Sequence, residues 1–408
     1  MRPRTVPIAI VAALALLLVA CGDDDTTTAD TPLPEDATTT EAPPDEPPGA
    51  DGPTASEPAA GELDVDNVET VAEGLDVPWA VAFVDDDTIL VTEREGQVRV
   101  VEDGTLRGEP VGEVEVDASG ESGLLGLALH PDFEQERFAY LYYTDSGGNQ
   151  VSRFPVGDDL TFGDEEVLLD DIPSAPAHDG GRIAFGPDDH LYVATGDALA
   201  PESAADVESL AGKILRIDAD GEVPADNPFD GSPVYSYGHR NPQGLAWDDD
   251  DNLYASEHGP TGEFDQCCND ELNLVEAGGF YGWPFSMGEV DGAEGEPPAD
   301  TIEPVANSGE GTWAPAGIAV RSEAEGNAIY MANLGSEDLL RFQVADDDPT
   351  EVVSTDVALE GEGRLRAALF GPDDCLYVTT SNTDGRGEPA DADDRLLRIC
   401  PTAADDLS

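Results

Sequence analysis

Cations are scarce in this chain. Its 408 residues carry 18 Lys and Arg against 89 Asp and Glu, a formal net charge of −71, and Lys213 is the one lysine. Phosphate-backbone binding needs clustered cations, so nucleic acid is excluded as a partner. Long apolar runs are missing too: the run from Ile8 to Ala20 falls short of the about 20 residues that a membrane-crossing helix needs. After residue 62 no segment holds a long, capped apolar period of 3.6, which leaves helices a minor part. Five histidines and five cysteines occur, few enough that each is informative.

What is present first is an export signal. Arg2 and Arg4 precede the apolar run, which ends in Leu18-Val19-Ala20-Cys21-Gly22, a sequence that resembles a bacterial lipobox. Residues 1–21 therefore read as a lipoprotein signal peptide. Cys21 is the expected lipidation site, and the chain is expected to be exported and held on the outer face of the bacterial cell membrane by that lipid alone. Residues 22–62 are rich in Asp, Glu, Thr, Pro and Ala, too polar to offset their ordering entropy, and read as a disordered tether. The acidic surplus, including Asp248 to Asp251, reads as a solvated surface and not as metal sites.

A pattern recurs between residues 63 and 402: a Gly/Asp/Pro turn, a strand rich in Leu, Tyr and Val, then a small-residue loop. It appears at Asp86–Val91, Phe138–Tyr143, Gly186–Ala194, Asp251–Ala255, Asn327–Met331 and Gly371–Val378. A second β-pattern follows, as at Gln97–Val101, Lys213–Ile217 and Arg395–Ile399. The repeat predicts an all-β fold, a six-bladed β-propeller over 63–402 with a tail at 403–408. A pair of β-sandwiches is the alternative, and it does not explain the repeat count. With Cys21 lipidated, four cysteines remain in an oxidising compartment. Cys375 opens one predicted strand and Cys400 closes the next, so a disulfide across the last blade is expected. Adjacent Cys267 and Cys268 suggest a vicinal disulfide, since no further Cys or His lies at metal-ligand spacing.

In a propeller the loops before the inner strands converge on one axial pocket, so distant motifs can form one site. His178, in Ala177-His178-Asp179-Gly180-Gly181-Arg182, sits on a polar, glycine-rich loop where an imidazole can serve as general base. In Tyr237-Gly238-His239-Arg240-Asn241-Pro242-Gln243, Arg240 and Asn241 can donate to an oxyanion or carboxylate, although an ordinary salt bridge satisfies Arg240 equally well. Glu257-His258-Gly259-Pro260, with Asp270-Glu271 and Tyr281 beyond, offers hard oxygen ligands suited to Ca²⁺. Arg364-Leu365-Arg366 places two guanidiniums on one side of a strand. His130 and His190 read as structural or solvent-facing.

Taken in this order, together with Gly123-Leu124-Leu125-Gly126-Leu127-Ala128-Leu129-His130-Pro131, these clusters resemble the glucose/sorbosone dehydrogenase family, the soluble propellers that oxidise aldoses with pyrroloquinoline quinone (PQQ) and Ca²⁺. The resemblance covers about Val77 to Ile399. It implies that His178 removes the proton of the sugar C1 hydroxyl while hydride passes to the quinone, and that Asp197 orients His178. Arg240 and Asn241 would contact the quinone oxygens, and the Gly259 and Pro260 carbonyls would hold Ca²⁺. Glu271 and Tyr281 match positions of a further, structural Ca²⁺. Arg364 and Arg366 would pair with PQQ carboxylates, with the loop Ala314-Pro315-Ala316 on its other side. Electrons would pass to an external acceptor.

Four departures from the family pattern bear on cofactor affinity. Glu121 stands where relatives carry Gln and is expected to repel PQQ unless protonated or paired. Leu334 to Glu337 lack a cation, Ala367 replaces an expected Asp, and Thr261 to Asn269 is an insertion beside the presumed metal loop. The competing function is a non-catalytic cell-surface propeller that binds carbohydrate or protein and keeps Ca²⁺ for stability.

Overall fold

The computed structural model describes residues 61–402 apart from residues 289, 293, 294, 296, 299, 324 and 325. The signal peptide, Cys21, nearly all of the tether and the tail at 403–408 lie outside the described residues.

Six antiparallel sheets form the blades of a propeller. Their inner strands are Pro78–Phe83, Leu124–Leu129, Ile183–Phe185, Pro242–Trp247, Pro315–Glu323 and Leu365–Phe370. The recurring motif is in every case the second strand: Thr88–Glu93, Phe138–Asp145, Leu191–Thr195, Leu253–Glu257, Gly326–Asn333 and Leu376–Thr380. Neighbouring blades cover these strands on both faces, which is why they read as continuous apolar runs; Leu191–Thr195 and Leu376–Thr380 are buried throughout. Gln97–Glu102, Lys213–Ile217 and Arg395–Ile399 are third strands.

The ring closes through the amino-terminal end of the domain. Glu69–Glu73 pairs with Arg395–Ile399 and becomes the outermost strand of the sixth blade, which leaves no open seam between first and last blades. A Cys375–Cys400 disulfide ties the same blade, and Cys267 and Cys268 are bonded to each other.

The acidic turns have structural work that their sequence alone did not reveal. Asp188 Oδ1 accepts the His190 N–H at 3.2 Å, and Asp373 Oδ1 accepts that of Cys375 at 3.2 Å, side-chain turns that cap the second strand. The other oxygen of each is a rivet: Tyr192 and Arg216 meet on Asp188 Oδ2, and Tyr377 and Arg398 meet on Asp373 Oδ2. Blade five repeats the arrangement with Tyr330, Arg341 and Glu323. Asp248, read as solvated surface, is buried and receives Asn252 and Asn327.

Candidate active site

Loops that precede the inner strands, and loops joining second to third strands, reach the same end of the axis. His178 comes from the first kind, on a loop fixed by its neighbour. Buried Asp179 accepts from Asn149 at 3.0 Å, Ser122 at 2.7 Å and the Ala175 N–H at 3.1 Å, and Tyr142 donates to its carbonyl at 2.7 Å. His178 has φ of 63°, and its carbonyl lies so close to Gly196 that a Cβ there would meet it at 1.9 Å. Only glycine permits that approach.

The imidazole is held from both sides. Its Nδ1 lies 2.8 Å from Asp197 Oδ1, and its Nε2 lies 2.8 Å from Arg240 Nη2. A guanidinium can only donate, so Nε2 is the acceptor and the ring proton sits on Nδ1, facing the carboxylate. Asp197 is fully buried and is itself fixed by the Trp283 Nε1–H at 2.8 Å and the Leu199 N–H at 2.9 Å. The sequence-predicted pair is thus brought together, with the basic nitrogen turned toward Arg240 and Glu263.

Arg240, 1% exposed, also donates to Thr261 Oγ1 at 2.8 Å and to Glu263 Oε1 at 2.7 Å, with its plane near the Trp283 ring. Asn241 Oδ1 accepts the Gly180 N–H at 3.0 Å, while its buried Nδ2 has no partner. Arg364 donates to Asp384 at 2.8 Å and to the Leu334 carbonyl at 2.6 Å. The segment from Leu334 to Glu337 supplies no cation of its own, and Arg364 brings one to it from the next blade.

Arg366 meets Gln243 at 3.1 Å and lies over Trp79, as does Arg182 at 4.3 Å from the ring centroid. Burial pushes both guanidiniums down, Arg366 to about 10 and Arg182, with repulsion from Arg366, to about 9. Arg94 stands within range of Arg366 and has a buried Nε without a partner. Among the described residues, Arg94, Arg182 and Arg366 form no ion pair with any carboxylate, in a chain of net charge −71.

Glu121 does not stand as a loose repulsive charge. It accepts the His178 N–H at 3.1 Å and the Arg386 guanidinium at 2.9 Å. Burial raises its pKa, but His258, the His178 amide and Arg386 outweigh that and draw it to about 2. Ala314 has φ of 45° and donates its N–H to Asp270, but Pro315 and Ala316 belong to the inner strand of blade five and not to a loop.

The expected metal positions fall into two groups. The Gly259 N–H donates to Asp270 at 2.8 Å, and the Pro260 carbonyl accepts the Cys268 N–H at 2.9 Å. Glu271 lies buried across the strand pair from Glu257, and burial with that neighbouring charge pushes its carboxyl well above the usual range. Glu271 Oε1 and Asn273 Oδ1 are buried acceptors without donors. Tyr281 stacks on His239 at 4.6 Å, and its hydroxyl is spent on the Leu274 carbonyl and the Glu276 N–H. His130 packs near Tyr140 and Phe185, and His190 stays with Asp188.

Residues 75–398 match the family described as Glucose / Sorbosone dehydrogenase. The chain belongs to this family. The aldose sugar dehydrogenase of Escherichia coli is 33% identical over 362 residues, which span 82% of this chain and 93% of that protein. The quinoprotein glucose dehydrogenase B of Acinetobacter calcoaceticus is 34% identical over 260 residues, 55% of this chain and 53% of its own length. The PQQ-bound form of the aldose sugar dehydrogenase of Streptomyces coelicolor superposes with a TM-score of 0.74 at 40% identity, covering 84% of this chain and 99% of that one. Within the family frame, sequence reading missed Arg94, Arg182, Trp79, Gln243, Glu263 and Arg386. For the arginines a signal existed: cations are so few in this chain that each position near a site motif carries weight.

Proposed function

We propose that this chain oxidises aldose sugars at C1 with PQQ as cofactor and Ca²⁺ as metal, and passes the electrons to an external acceptor. The observation that carries the reading is the set of three guanidiniums, Arg94, Arg182 and Arg366, left without carboxylates beside the His178–Asp197 pair. Arg366 is buried and Arg94 and Arg182 are half-buried; cations kept from water without partners are costly, and a planar organic polyanion is a ligand that would offset that cost. PQQ, when bound, supplies a two-electron acceptor for the hydride that leaves C1. Arg364 and Arg366, with Arg94 and Arg182, would hold its carboxylates, and Arg240 with the free Nδ2 of Asn241 would face its quinone oxygens.

His178 supplies the proton chemistry. With the Arg240 Nη2 donor, which occupies Nε2 at 2.8 Å, withdrawn to face the quinone oxygens, the C1 hydroxyl proton would pass to Nε2 as the C1–H bond gives up its electron pair and a C1=O bond forms, so that a cyclic aldose becomes a lactone. Asp197 stabilises the imidazolium that results. The unpartnered oxygens of Glu271 and Asn273 beside Glu257 support a structural cation, and the Gly259 and Pro260 carbonyls are the candidates for the second. Export on a lipid at Cys21 belongs to the same proposal, and mass spectrometry of the mature amino terminus tests it.

The deciding experiment titrates the purified protein with PQQ and Ca²⁺. A bound-quinone absorbance change and aldose-dependent dye reduction are expected, with activity lost in His178→Ala. No absorbance change at saturating PQQ and Ca²⁺ would sink the reading. Chelation is expected to lower Tm and added Ca²⁺ to restore it.

A further inference from the structure

The insertion at residues 261–269 does not hang free in solvent. It folds back over the imidazole. Its Gly262 N–H donates to the Gln266 carbonyl, Thr261 bridges to Cys267, and the Cys267–Cys268 bond and the Cys268 N–H to Pro260 carbonyl contact close its base. Glu263, within this loop, has its Oε2 fixed by the Thr261 N–H at 2.6 Å. Its Oε1 lies 2.7 Å from Arg240 Nη2 and 3.9 Å from His178 Nε2.

Resting on the sugar-oxidising reading above, we propose that Glu263 is a specificity-determining residue that reads the substituent on C2, the carbon beside the one oxidised. A C1 hydroxyl that gives its proton to His178 Nε2 must sit within hydrogen-bond distance of that atom. Glu263 Oε1 lies 3.9 Å from Nε2, within reach of the oxygen next to that hydroxyl on the sugar. Two such neighbours exist in a pyranose, the ring oxygen and the C2 hydroxyl. A carboxylate accepts only, so it turns away the ring oxygen and selects the C2 donor.

Three further features fit a ligand-facing role. Glu263 has two lone-pair positions committed, to Arg240 and Thr261, which leaves capacity for a hydroxyl or ammonium donor. Its side chain stays 26% exposed although its partner Arg240 is buried. Next to it, Phe264 is 40% exposed with its ring 5.5 Å from Trp283, an apolar face of the kind on which sugar C–H groups pack. Burial raises the Glu263 pKa, but Arg240 and the Thr261 N–H more than reverse this, so the group is an anion at neutral pH.

The test compares glucose, 2-deoxyglucose and protonated glucosamine on wild type, Glu263→Gln and Glu263→Ala. Measurements are made in about 1 M salt, where the Debye length of about 3 Å removes the general attraction of an acidic protein for a cation. The glucosamine-to-glucose ratio of kcat/KM is expected to fall roughly tenfold in Glu263→Gln, the loss of a charge-assisted hydrogen bond. The glucose-to-2-deoxyglucose ratio is expected to fall toward one in Glu263→Ala. Calorimetric binding of the same sugars to cofactor-free protein provides a second readout. If the loaded protein oxidises sugars with ratios that none of the variants alters, the role of Glu263 is refuted and the dehydrogenase reading stands. If no sugar is oxidised but the calorimetric preference for glucosamine still drops in Glu263→Gln, the reverse holds. Neither turnover nor binding in wild type overturns both.

Discussion

Replacing Asp197 by Asn removes one negative charge at the most constrained point of the site. Three donors converge on this carboxylate: His178 Nδ1 at 2.8 Å and Leu199 N at 2.9 Å on Oδ1, and Trp283 Nε1 at 2.8 Å on Oδ2. An amide can offer an acceptor to one side only. With its oxygen toward Oδ1 it keeps two bonds and sets its NH₂ against the indole N–H, which leaves a buried donor unpaired at a cost of about 1–3 kcal/mol. With its oxygen toward Trp283 it opposes the Leu199 N–H and forces the ring proton onto Nε2. There it would confront Arg240, so this orientation costs more.

The first orientation is therefore expected, and it preserves the tautomer while it removes the charge that stabilises the imidazolium. General-base assistance contributes about 10²–10⁴-fold, and a loss within that range in kcat is expected, with a smaller change in KM. The assay is steady-state dye reduction by the PQQ- and Ca²⁺-loaded protein, paired with thermal unfolding of the same sample. A variant that keeps wild-type kcat while its Tm falls would refute the reasoning, because the carboxylate would then be a purely structural anchor for Trp283.

Two more perturbations separate binding from stability. Arg366→Met is expected to weaken PQQ binding by roughly ten- to hundredfold, the loss of one or two charge-assisted bonds, and to raise Tm of the cofactor-free protein, since burial already drives this guanidinium down to about 10; titration and unfolding on one preparation check both. For Glu121 the folded pKa, about 2, lies below the usual 4.5. Its contribution is then complete above pH 4.5 and fades as pH falls toward 2, worth up to about 3 kcal/mol and less after allowance for the exposed Arg386. The stability gap between wild type and Glu121→Gln should shrink between pH 6 and about 2.5, and a gap that does not depend on pH refutes the pairing.

The blades were readable because the repeat has a local cause. An Asp that turns the chain and a Tyr four residues on recur with fixed spacing in blades three and six, with an Arg from the next strand, so periodicity exposes them. The His178 loop was readable for a similar reason, since glycines beside a histidine mark a backbone that bends to present it. The ring of guanidiniums was not. Arg94, Arg182 and Arg366 come from blades one, three and six, and nothing in sequence spacing records that Arg182 and Arg366 meet on Trp79 with Arg94 within range of Arg366. Glu263 was hidden for another reason: an insertion has no pattern to be compared with, and its relation to His178 exists only after folding.

Where cations are rare, their partners say more than their number. The arginines that rivet the outer strands, Arg216, Arg341 and Arg398, are all matched by carboxylates, Asp188 and Asp373 from the recurring turns and Glu323 from the end of an inner strand. At the axis Arg240 and Arg364 have Glu263 and Asp384, but among the described residues Arg94, Arg182 and Arg366 pair with none, although acidic residues outnumber basic ones, 89 to 18. The acids nearest Arg366 are engaged elsewhere, Asp384 with Arg364, and Glu121 with Arg386 and the His178 amide. An arrangement that holds positive charge open in so acidic a fold loses stability without a ligand and regains it with one. That sign distinguishes a site built for an anion from a salt-bridge network that happens to line a channel.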